Sequence, residues 1–571
     1  MGRAGVATGA TGVTSWLRRR RNWQGLAALW IRVRAAFSAT TGPLITSTQR
    51  KGVASRSSAF TVSAGILLSR LIGLVRERVF AYYFGNSYAA DAFRGAFRIP
   101  NFLQTLFGEG VLSASFIPVY ARLRAEERHE EANQLAEAIF AILFVIASLV
   151  TLAGVVAAPW LIDVIVPGFK GETRQLTIRL VQILFPGAAL LVMSAWCLGI
   201  LNSHRKFFLS YSAPVVWNVA MITALLWKGG RVGESRLAII ISIASVIGSG
   251  LQFGVQLPTV MRFLRPLHLR FTLGTEHVHT VVRNFFPVFT SRGVVQISAY
   301  IDSFLASFLP TSAVSALAYA QTLNSLPVSL FGMAISAAEL PAMSSALGTH
   351  DEISLVLRKR LENGLKNISF FVVPSAVAFV VLGDVVVATI YRGGHFTGQD
   401  VTFVWSVLAG SGVGLLASTS GRLYSSAFYA LRDTRTPLNF AIVRVVLTVV
   451  LGYLFALPLP RLLGIDRRWG VAGLTLSAGL AGWVEFALLR RALQARIGAV
   501  VASVSRIARL WVGALIASAC AYGVKLVLPF HRPELVGLCV LSIFGLGYLG
   551  CTRLLGVAAP GSLTRLLGRR A

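Results

Sequence analysis

The chain has 571 residues, of which 55% are hydrophobic and 13% charged, with a mean hydropathy of +0.68 and a formal net charge of +31. Soluble globular chains carry about 25% charged residues, so a water-soluble domain is excluded. The sequence shows no aromatic-interleaved basic platform, so the positive charge is read as a marker of membrane topology and not of nucleic-acid binding.

In chain order, residues 1–58 come first as a basic extension. They hold "RRRR" at 18–21 and a Ser/Thr-rich run before Phe60, and are expected to be disordered. The stretch "SWLRRRRNWQGLAALWIRVRAAF" has some amphipathic character suited to an anionic membrane surface. Arg32 and Arg34 interrupt its apolar part, which argues against a cleaved signal peptide. Beyond it, apolar runs recur to the C-terminus, each long enough to cross a ~30 Å hydrocarbon core as a helix that satisfies its own backbone. The predicted spans are 59–83, 88–117, 136–158, 175–201, 213–228, 237–260, 283–309, 312–341, 366–391, 401–428, 437–457, 469–489, 508–528 and 534–552. With the N-terminus in the cytoplasm, the inside loops include "ARLRAEER", "NSHRKFF", "LRKRLENGLK" and "LRDTRT", which hold most of the Lys and Arg. This bias predicts both termini inside.

The first span contains "LSRLIGLVRERVFAYYFG" at 68–85, with Arg70, Arg76, Glu77 and Arg78 inside an otherwise apolar helix. The next adds Asp91, Arg94, Arg98 and Glu109. Charges at membrane depth are costly facing lipid and normally face a cavity or one another. Arg70 and Glu77 are seven residues apart and share a helix face. Residues 101–118, "NFLQTLFGEGVLSASFIP", are echoed by 324–341, "NSLPVSLFGMAISAAELP". The helix before each carries Ser-Arg, at Ser69-Arg70 and Ser291-Arg292. Two matches in the same order, about 220 residues apart, predict a duplicated transporter with its site between the halves. Six spans precede the second unit, so the repeat is parallel. Cys197, Cys520, Cys539 and Cys551 lie in apolar spans without C-x-x-C and read as small hydrophobes. The "HVH" at 277–279 lacks further ligands. There is no phosphate-binding G-x-x-x-x-G-K-[ST] and no nucleophile elbow, so neither ATP-driven transport nor hydrolysis is indicated.

The order of motifs carries a resemblance. "SRLIGLVRERVFAYYFG…ADAFRGAFRIPNFLQTLFGEGVLSASFIPVYARL", "VPGF" at 166–169, "GILNSHRKFFLSYSAPVVWNVAMI" at 199–222, "QLP" at 256–258, "YRGGHFT" at 391–397 and "SSAFYALRDTRTPL" at 425–438 closely resemble the MurJ (MviN) family of lipid II flippases. That family belongs to the multidrug/oligosaccharidyl-lipid/polysaccharide exporter superfamily. The resemblance implies an all-α integral membrane protein of about fourteen transmembrane helices. It would have an N-lobe at 59–262, a C-lobe at 263–500 related to it by a pseudo-two-fold parallel repeat, and two additional helices with a basic tail at 501–571. It also implies a non-enzymatic transporter of the inner membrane, moving the undecaprenyl-diphosphate-linked peptidoglycan precursor outward, with that lipid, the bilayer and the cell-wall synthesis machinery as partners.

A lipid-linked diphosphate needs guanidinium forks that pair with phosphate oxygens. The motif match carries the family's cavity residues onto Arg70, Arg76, Asp91 and Glu109, the carboxylates being expected to orient the arginines. The chain departs from the family at Gln104 and at Gln321, Thr322 and Ser325, where arginines and carboxylates are common. Arg292 is the candidate replacement. Coupling is expected to a Na+ or H+ gradient or to the membrane potential. Asp302 matches a carboxylate that takes part in sodium binding in some members, with Asp433 and Thr448 as further oxygen ligands. The missing arginines leave open an exporter of another polyprenyl-linked oligosaccharide. A membrane glycosyltransferase would need a sizeable extracytoplasmic acidic loop, which the short outside loops do not provide.

Overall fold

The computed structural model describes residues 47–107, 109–264, 275–344, 349–500, 504–528 and 532–557. Residues 1–46 of the expected basic extension lie outside the described residues. Residues 64–571 form one compact unit.

The described residues are helical almost throughout. The first helices are α1 (Ser47–Phe84), α2 (Tyr88–Phe107), α3 (Glu109–Ala125), α4 (His129–Ile165), α5 (Gly171–Ser203), α6 (Phe207–Lys228), α7 (Glu234–Phe263) and α8 (Glu276–Ser307). Next come α9 (Ala313–Pro327), a π-helical turn at Val328–Met333, α10 (Ala334–Ser344), α11 (His350–Val381) and α12 (Gly383–Tyr391). The rest are α13 (Gly398–Ala430), α14 (Arg435–Ala456), the short α15 (Pro458–Leu462), α16 (Gly470–Ile497), α17 (Val504–Val527) and α18 (Pro533–Leu554). Eleven helices among the described residues are long and apolar enough to cross a membrane. The other three expected spans fall on α1, on α2 with α3, and on α8, which carry the charges singled out in the sequence. Large apolar side chains point outward, as on α4 where Leu149, Leu152, Val156 and Trp160 are exposed. That is the pattern of a surface solvated by lipid.

The helices pack as two groups. In the first, α5 lies against α2, α3, α4 and α7, and α7 against α6. In the second, α13 lies against α9, α11 and α16, and α16 against α14. The final hairpin, α17–α18, docks on α11 and α12. Helix α8, expected to belong to the C-lobe, packs on α2, α3 and α4 as well as on α9, α14 and α16, so it joins the two groups. Small residues bring backbones close: a Cβ on Gly414 of α13 would stand 2.4 Å from the Gly479 Cα of α16.

The Leu-Phe-Gly of the second copy, Leu330–Gly332, lies in the π-helical turn between α9 and α10; Gly108 of the first copy lies outside the described residues. The second copy therefore interrupts the helical path between α9 and α10. Such interruptions survive where they border protein or a cavity and not lipid.

Candidate functional site

A cavity of about 580 Å³ lies between α1, α2, α5, α6, α7 and α9. Its charged wall is α1, which presents Arg70, Arg76 and Glu77. Helix periodicity places Arg70 and Glu77 on one stripe, since seven residues make nearly two turns, with Arg76 about 100° round the helix from Glu77. Asn101 and Gln104 of α2, Asn218 of α6, Gln252 of α7 and Thr322 and Ser325 of α9 complete the polar lining.

Glu77 is the hinge of the charge arrangement. It is buried, and its Oε1 accepts from Arg76 Nη2 at 2.6 Å and from Arg94 Nη1 at 3.3 Å. Its Oε2 is paired with Arg94 Nη2. The Arg94 guanidinium is further held 4.5 Å from the Phe80 ring and 5.1 Å from the Tyr319 ring. Arg76 lies 4.8 Å from the Trp217 ring, which fixes the plane of its fork. Arg70 is exposed on the cavity wall. The cluster thus sets three guanidiniums against one carboxylate, so an anion entering the cavity meets net positive charge.

The other expected site residues fall elsewhere. Asp91 does not orient the cavity arginines. Its Oδ2 accepts from the Ser312 amide and its Oδ1 from the Ser315 amide, both at 2.7 Å. It therefore caps the N-terminus of α9 from a different helix, where the unpaired amides and the helix dipole favour a carboxylate. Neighbouring bonds join the same two regions: Ser315 Oγ donates to Asn86 Oδ1 at 2.6 Å, and Tyr319 OH to the Gly85 carbonyl at 2.8 Å. Gly85 has φ +55° and a Cβ there would meet the His395 carbonyl at 2.4 Å, so only glycine fits this crossing. Glu109 opens α3 and Arg292 lies in α8, but their side chains lie outside the described residues. Gln104 and Thr322, singled out in the sequence as neutral departures, do face the cavity.

The residues expected to hold a cation do not form one site. Asp433 lies at the start of α14, where its Oδ1 accepts from the amides of Arg435 and Thr436 at 3.0 Å. Its Oδ2 accepts from Thr436 Oγ1 at 2.7 Å and pairs with Arg496 at 2.7 Å. Thr448 is about four turns, or roughly 22 Å, further along α14. Asp302 on α8 feels the positive charges of Arg98 and Arg444, and Arg444 is itself paired with Glu485 at 3.0 Å. No group of three or more His, Cys, Asp or Glu suited to a metal occurs among the described residues. Because Asp433 and Thr448 stand about four turns apart on one helix, the three expected oxygen ligands do not meet at a single ion.

Two site residues were missing from the sequence-based expectation: Glu77 as the brace and Trp217 as the platform. The adjacency of Arg76 and Glu77 was a signal for the first. Nothing local in "APVVWNVAM" reveals that Trp217 faces an arginine on α1.

A polytopic all-helical protein with two packed groups of helices and a polar, cationic cavity at membrane depth has the architecture of a membrane transporter. Comparison makes the assignment specific. Residues 80–538 match the family described as lipid II flippase MurJ. The chain is 32% identical over 448 residues to the lipid II flippase MurJ of Burkholderia cenocepacia, covering 76% of this chain and 83% of that one. It is 30% identical over 515 residues to the probable lipid II flippase MurJ of Rhizobium tropici, covering 89% and 93%. The chain belongs to the MurJ family. Among solved structures, a lipid II flippase MurJ in an inward closed conformation superposes with a TM-score of 0.71 at 24% identity, covering 89% of this chain and 99% of that one. An inward-facing multidrug-resistance transporter of the MATE family superposes at 0.60 and 18% identity, covering 77% and 98%. These two likenesses support the fold.

Proposed function

We propose that this protein carries lipid II, the undecaprenyl-diphosphate-linked peptidoglycan precursor, from the cytoplasmic to the outer leaflet of the inner membrane. The observation that carries the reading is the cavity wall of α1, where Arg70 is open to the cavity and Arg76 is held by Glu77 and Trp217. A diphosphate leaving water needs charge-assisted hydrogen bonds to offset its desolvation, and guanidinium forks supply them in pairs. Asn101, Gln104, Asn218 and Gln252 offer neutral partners for sugar hydroxyls and peptide amides. The apolar tail needs no such site, because it remains in the bilayer while the head crosses. Alternating access around this cavity, with both termini cytoplasmic, completes the proposal.

The test is made in cells whose own lipid II flippase is depleted. Expression of the wild-type chain restores lipid II at the outer leaflet. Arg70→Ala and Arg76→Ala, at wild-type expression levels, do not. Normal outer-leaflet lipid II with both variants removes the α1 arginines from the site.

The neutral Gln104 and Thr322 on the cavity wall favour one second reading, an exporter of another polyprenyl-linked oligosaccharide with a less anionic head. Failure of the wild-type chain to restore lipid II, with the protein inserted, selects that reading. Energy is proposed to come from a proton or sodium gradient or the membrane potential, acting on Asp302 and the positive charges of Arg98 and Arg444 near it. Asp302→Asn should then change the dependence of transport on the proton or the sodium gradient. Equal dependence on the proton and sodium gradients in both proteins rejects that part.

A further inference from the structure

The second group of helices carries charges of its own at membrane depth: Arg422 on α13, Arg444 on α14 and Glu485 on α16. Arg422 stands eight residues before the end of α13, about 12 Å along the helix. Arg444 stands nine residues after the start of α14, about 14 Å along it. One short turn joins those two helix ends, so the arginines share a depth. Glu485 comes from α16, which packs on both helices. Its Oε2 accepts from Arg444 Nη1 at 3.0 Å. The charges of Arg444 and Glu485 also act on Arg422. Glu485 is committed to Arg444, which leaves Arg422 as the surplus cation. Both guanidiniums are reachable, Arg422 being exposed and the Arg444 side chain 42% exposed.

The two groups of helices correspond closely enough to say which way this cluster faces. Helices α5 and α13 are both 33 residues long, and α6 and α14 are both 22. Helix α7 lies against α5 and α6 as α16 lies against α13 and α14. Matched end to end, Ser418 and Ser425 of α13 take the places of Leu191 and Leu198 of α5, which line the central cavity. Arg422 is four residues from one and three from the other, so it shares their face. Tyr429, 47% exposed, continues that face towards the end of α13. On α14, Arg444 falls one residue from the place matching Trp217, another cavity residue. A stripe of Ser, Arg, Ser and Tyr is costly against lipid and suits a wall of the transport path.

We propose that Arg422 and Arg444 form a second phosphate-binding subsite, on the opposite group of helices from Arg70 and Arg76, which takes the diphosphate of a polyprenyl-linked substrate. The assignment rests on the transport reading above. Glu485 braces Arg444 as Glu77 braces Arg76, and Arg422 supplies the unbraced fork, as Arg70 does on α1. Two forks suit two phosphate groups. A phospholipid diester presents one phosphate with a single charge, and so engages them less fully. The exposed Tyr429 hydroxyl is placed to donate to a further oxygen of the head. Under the topology proposed above, the turn between α13 and α14 is cytoplasmic, so this subsite lies in the inner half of the path. Arg76 is eight residues, about 12 Å, from the outer end of α1. The head therefore meets Arg422 and Arg444 first and passes outward to the α1 arginines.

The experiment uses the full chain, purified in detergent, delipidated and titrated with undecaprenyl diphosphate or phosphatidylglycerol under native mass spectrometry. The variant Arg70→Ala/Arg76→Ala removes the α1 site and should still bind undecaprenyl diphosphate. Adding Arg422→Gln to it should weaken that binding about tenfold, the scale of one charge-assisted hydrogen bond. Arg422→Lys should weaken it less, since the charge remains and the fork is lost. Arg444→Gln would strand Glu485, so the pair is removed together as Arg444→Gln/Glu485→Gln, with a similar loss expected. Phosphatidylglycerol should bind more weakly than the diphosphate and respond little to Arg422→Gln. Undecaprenyl diphosphate binding that vanishes with the α1 arginines alone, or that is indifferent to both Arg422→Gln and the pair variant, overturns the subsite. Equal losses for phosphatidylglycerol and the diphosphate overturn the substrate assignment in favour of a bilayer phospholipid. A wild type that binds undecaprenyl diphosphate no better than phosphatidylglycerol rejects the transport reading itself, and the subsite with it.

Discussion

At the scale of single residues, the arginines of α1 divide by what surrounds them. Arg70 is exposed to the cavity and has little to lose from substitution. Glu77 is the only carboxylate between Arg76 and Arg94, and all three are removed from bulk water. Breaking one partner out of a buried charge cluster costs about 3–5 kcal/mol, because the remaining charges are left uncompensated. Glu77→Gln should therefore lower the melting temperature of the purified protein markedly, whereas Arg70→Lys should leave it unchanged while impairing transport, since lysine keeps the charge and loses the fork. A Glu77→Gln protein as stable as the wild type would mean that Arg94 is satisfied by Phe80 and Tyr319 alone. Much of this site was legible in the sequence. Four ionisable groups in one apolar stretch demand a cavity or partners, and the structure supplies both. The roles were less legible. Which carboxylate braces an arginine depends on contacts between α1 and α2, and Asp91, only three residues from Arg94, turns to α9 instead. Helix periodicity fixes a face but not the partner that the face meets.

At the scale of elements, two helix junctions carry testable chemistry. Asp91 caps α9 across the boundary between the two groups of helices. Asp91→Asn keeps one acceptor and loses the charge, so the junction should weaken by about 1 kcal/mol, the usual worth of a cap. Hydrogen exchange at the Ser312–Ser315 amides should report this as a local loss of protection, and unchanged protection would deny the cap its role. His204 follows α5 at a turn where it stacks on Phe263 with ring centroids 3.9 Å apart and bonds to Tyr120 OH at 3.0 Å. Burial first, and then the positive charge of Arg124, pull its pKa down to about 4. The folded protein thus holds this imidazole neutral, while the unfolded chain takes up a proton below its ordinary value near 6.5. The unfolded state binds more protons between about pH 6.5 and 4, so stability is full above that window and declines as pH falls through it. Thermal unfolding in detergent should show a lower melting temperature at pH 5 than at pH 7.5, and His204→Phe should shrink that difference. An identical pH response in the variant would assign the effect to other groups. Neither junction could be read from sequence alone, because each joins residues far apart in the chain. The π-helical turn at the second Leu-Phe-Gly copy was not legible either, since the sequence predicts an uninterrupted span over 312–341.

At the scale of the whole molecule, the loop charges and the helix order fix opposite faces for particular positions, and the structure decides which of them can be probed. The loop between α12 and α13 belongs outside if the N-terminus is cytoplasmic, and the turn before α14 belongs inside. Gly394 is the central position of the outer loop, but its φ is +55° and a Cβ there would stand 2.2 Å from the Tyr82 carbonyl. A cysteine at Gly394 would strain the contact between this loop and the end of α1, where the His395 amide also donates to Tyr82 at 2.9 Å. Gln399, exposed in the first turn of α13, is the better reporter, and Thr434 is exposed at the inner turn. The background needs its native thiols replaced, because Cys520 is exposed on α17. In that background a membrane-impermeant thiol reagent applied to intact spheroplasts should label Gln399→Cys and leave Thr434→Cys unlabelled until the membrane is opened. The same positions separate the two arrangements of the charged helix. With the N-terminus inside, α1 brings Arg70 towards the cytoplasmic entrance of the cavity and Arg78 towards the outer surface, where Arg78 donates to the Thr389 carbonyl at 2.8 Å and pairs with Glu534 at 2.5 Å. An anionic head arriving from the cytoplasm then meets the free guanidinium before the braced one. Labelling of Thr434→Cys in intact spheroplasts with Gln399→Cys protected would invert that path, and with it the direction in which Arg70 could receive a substrate.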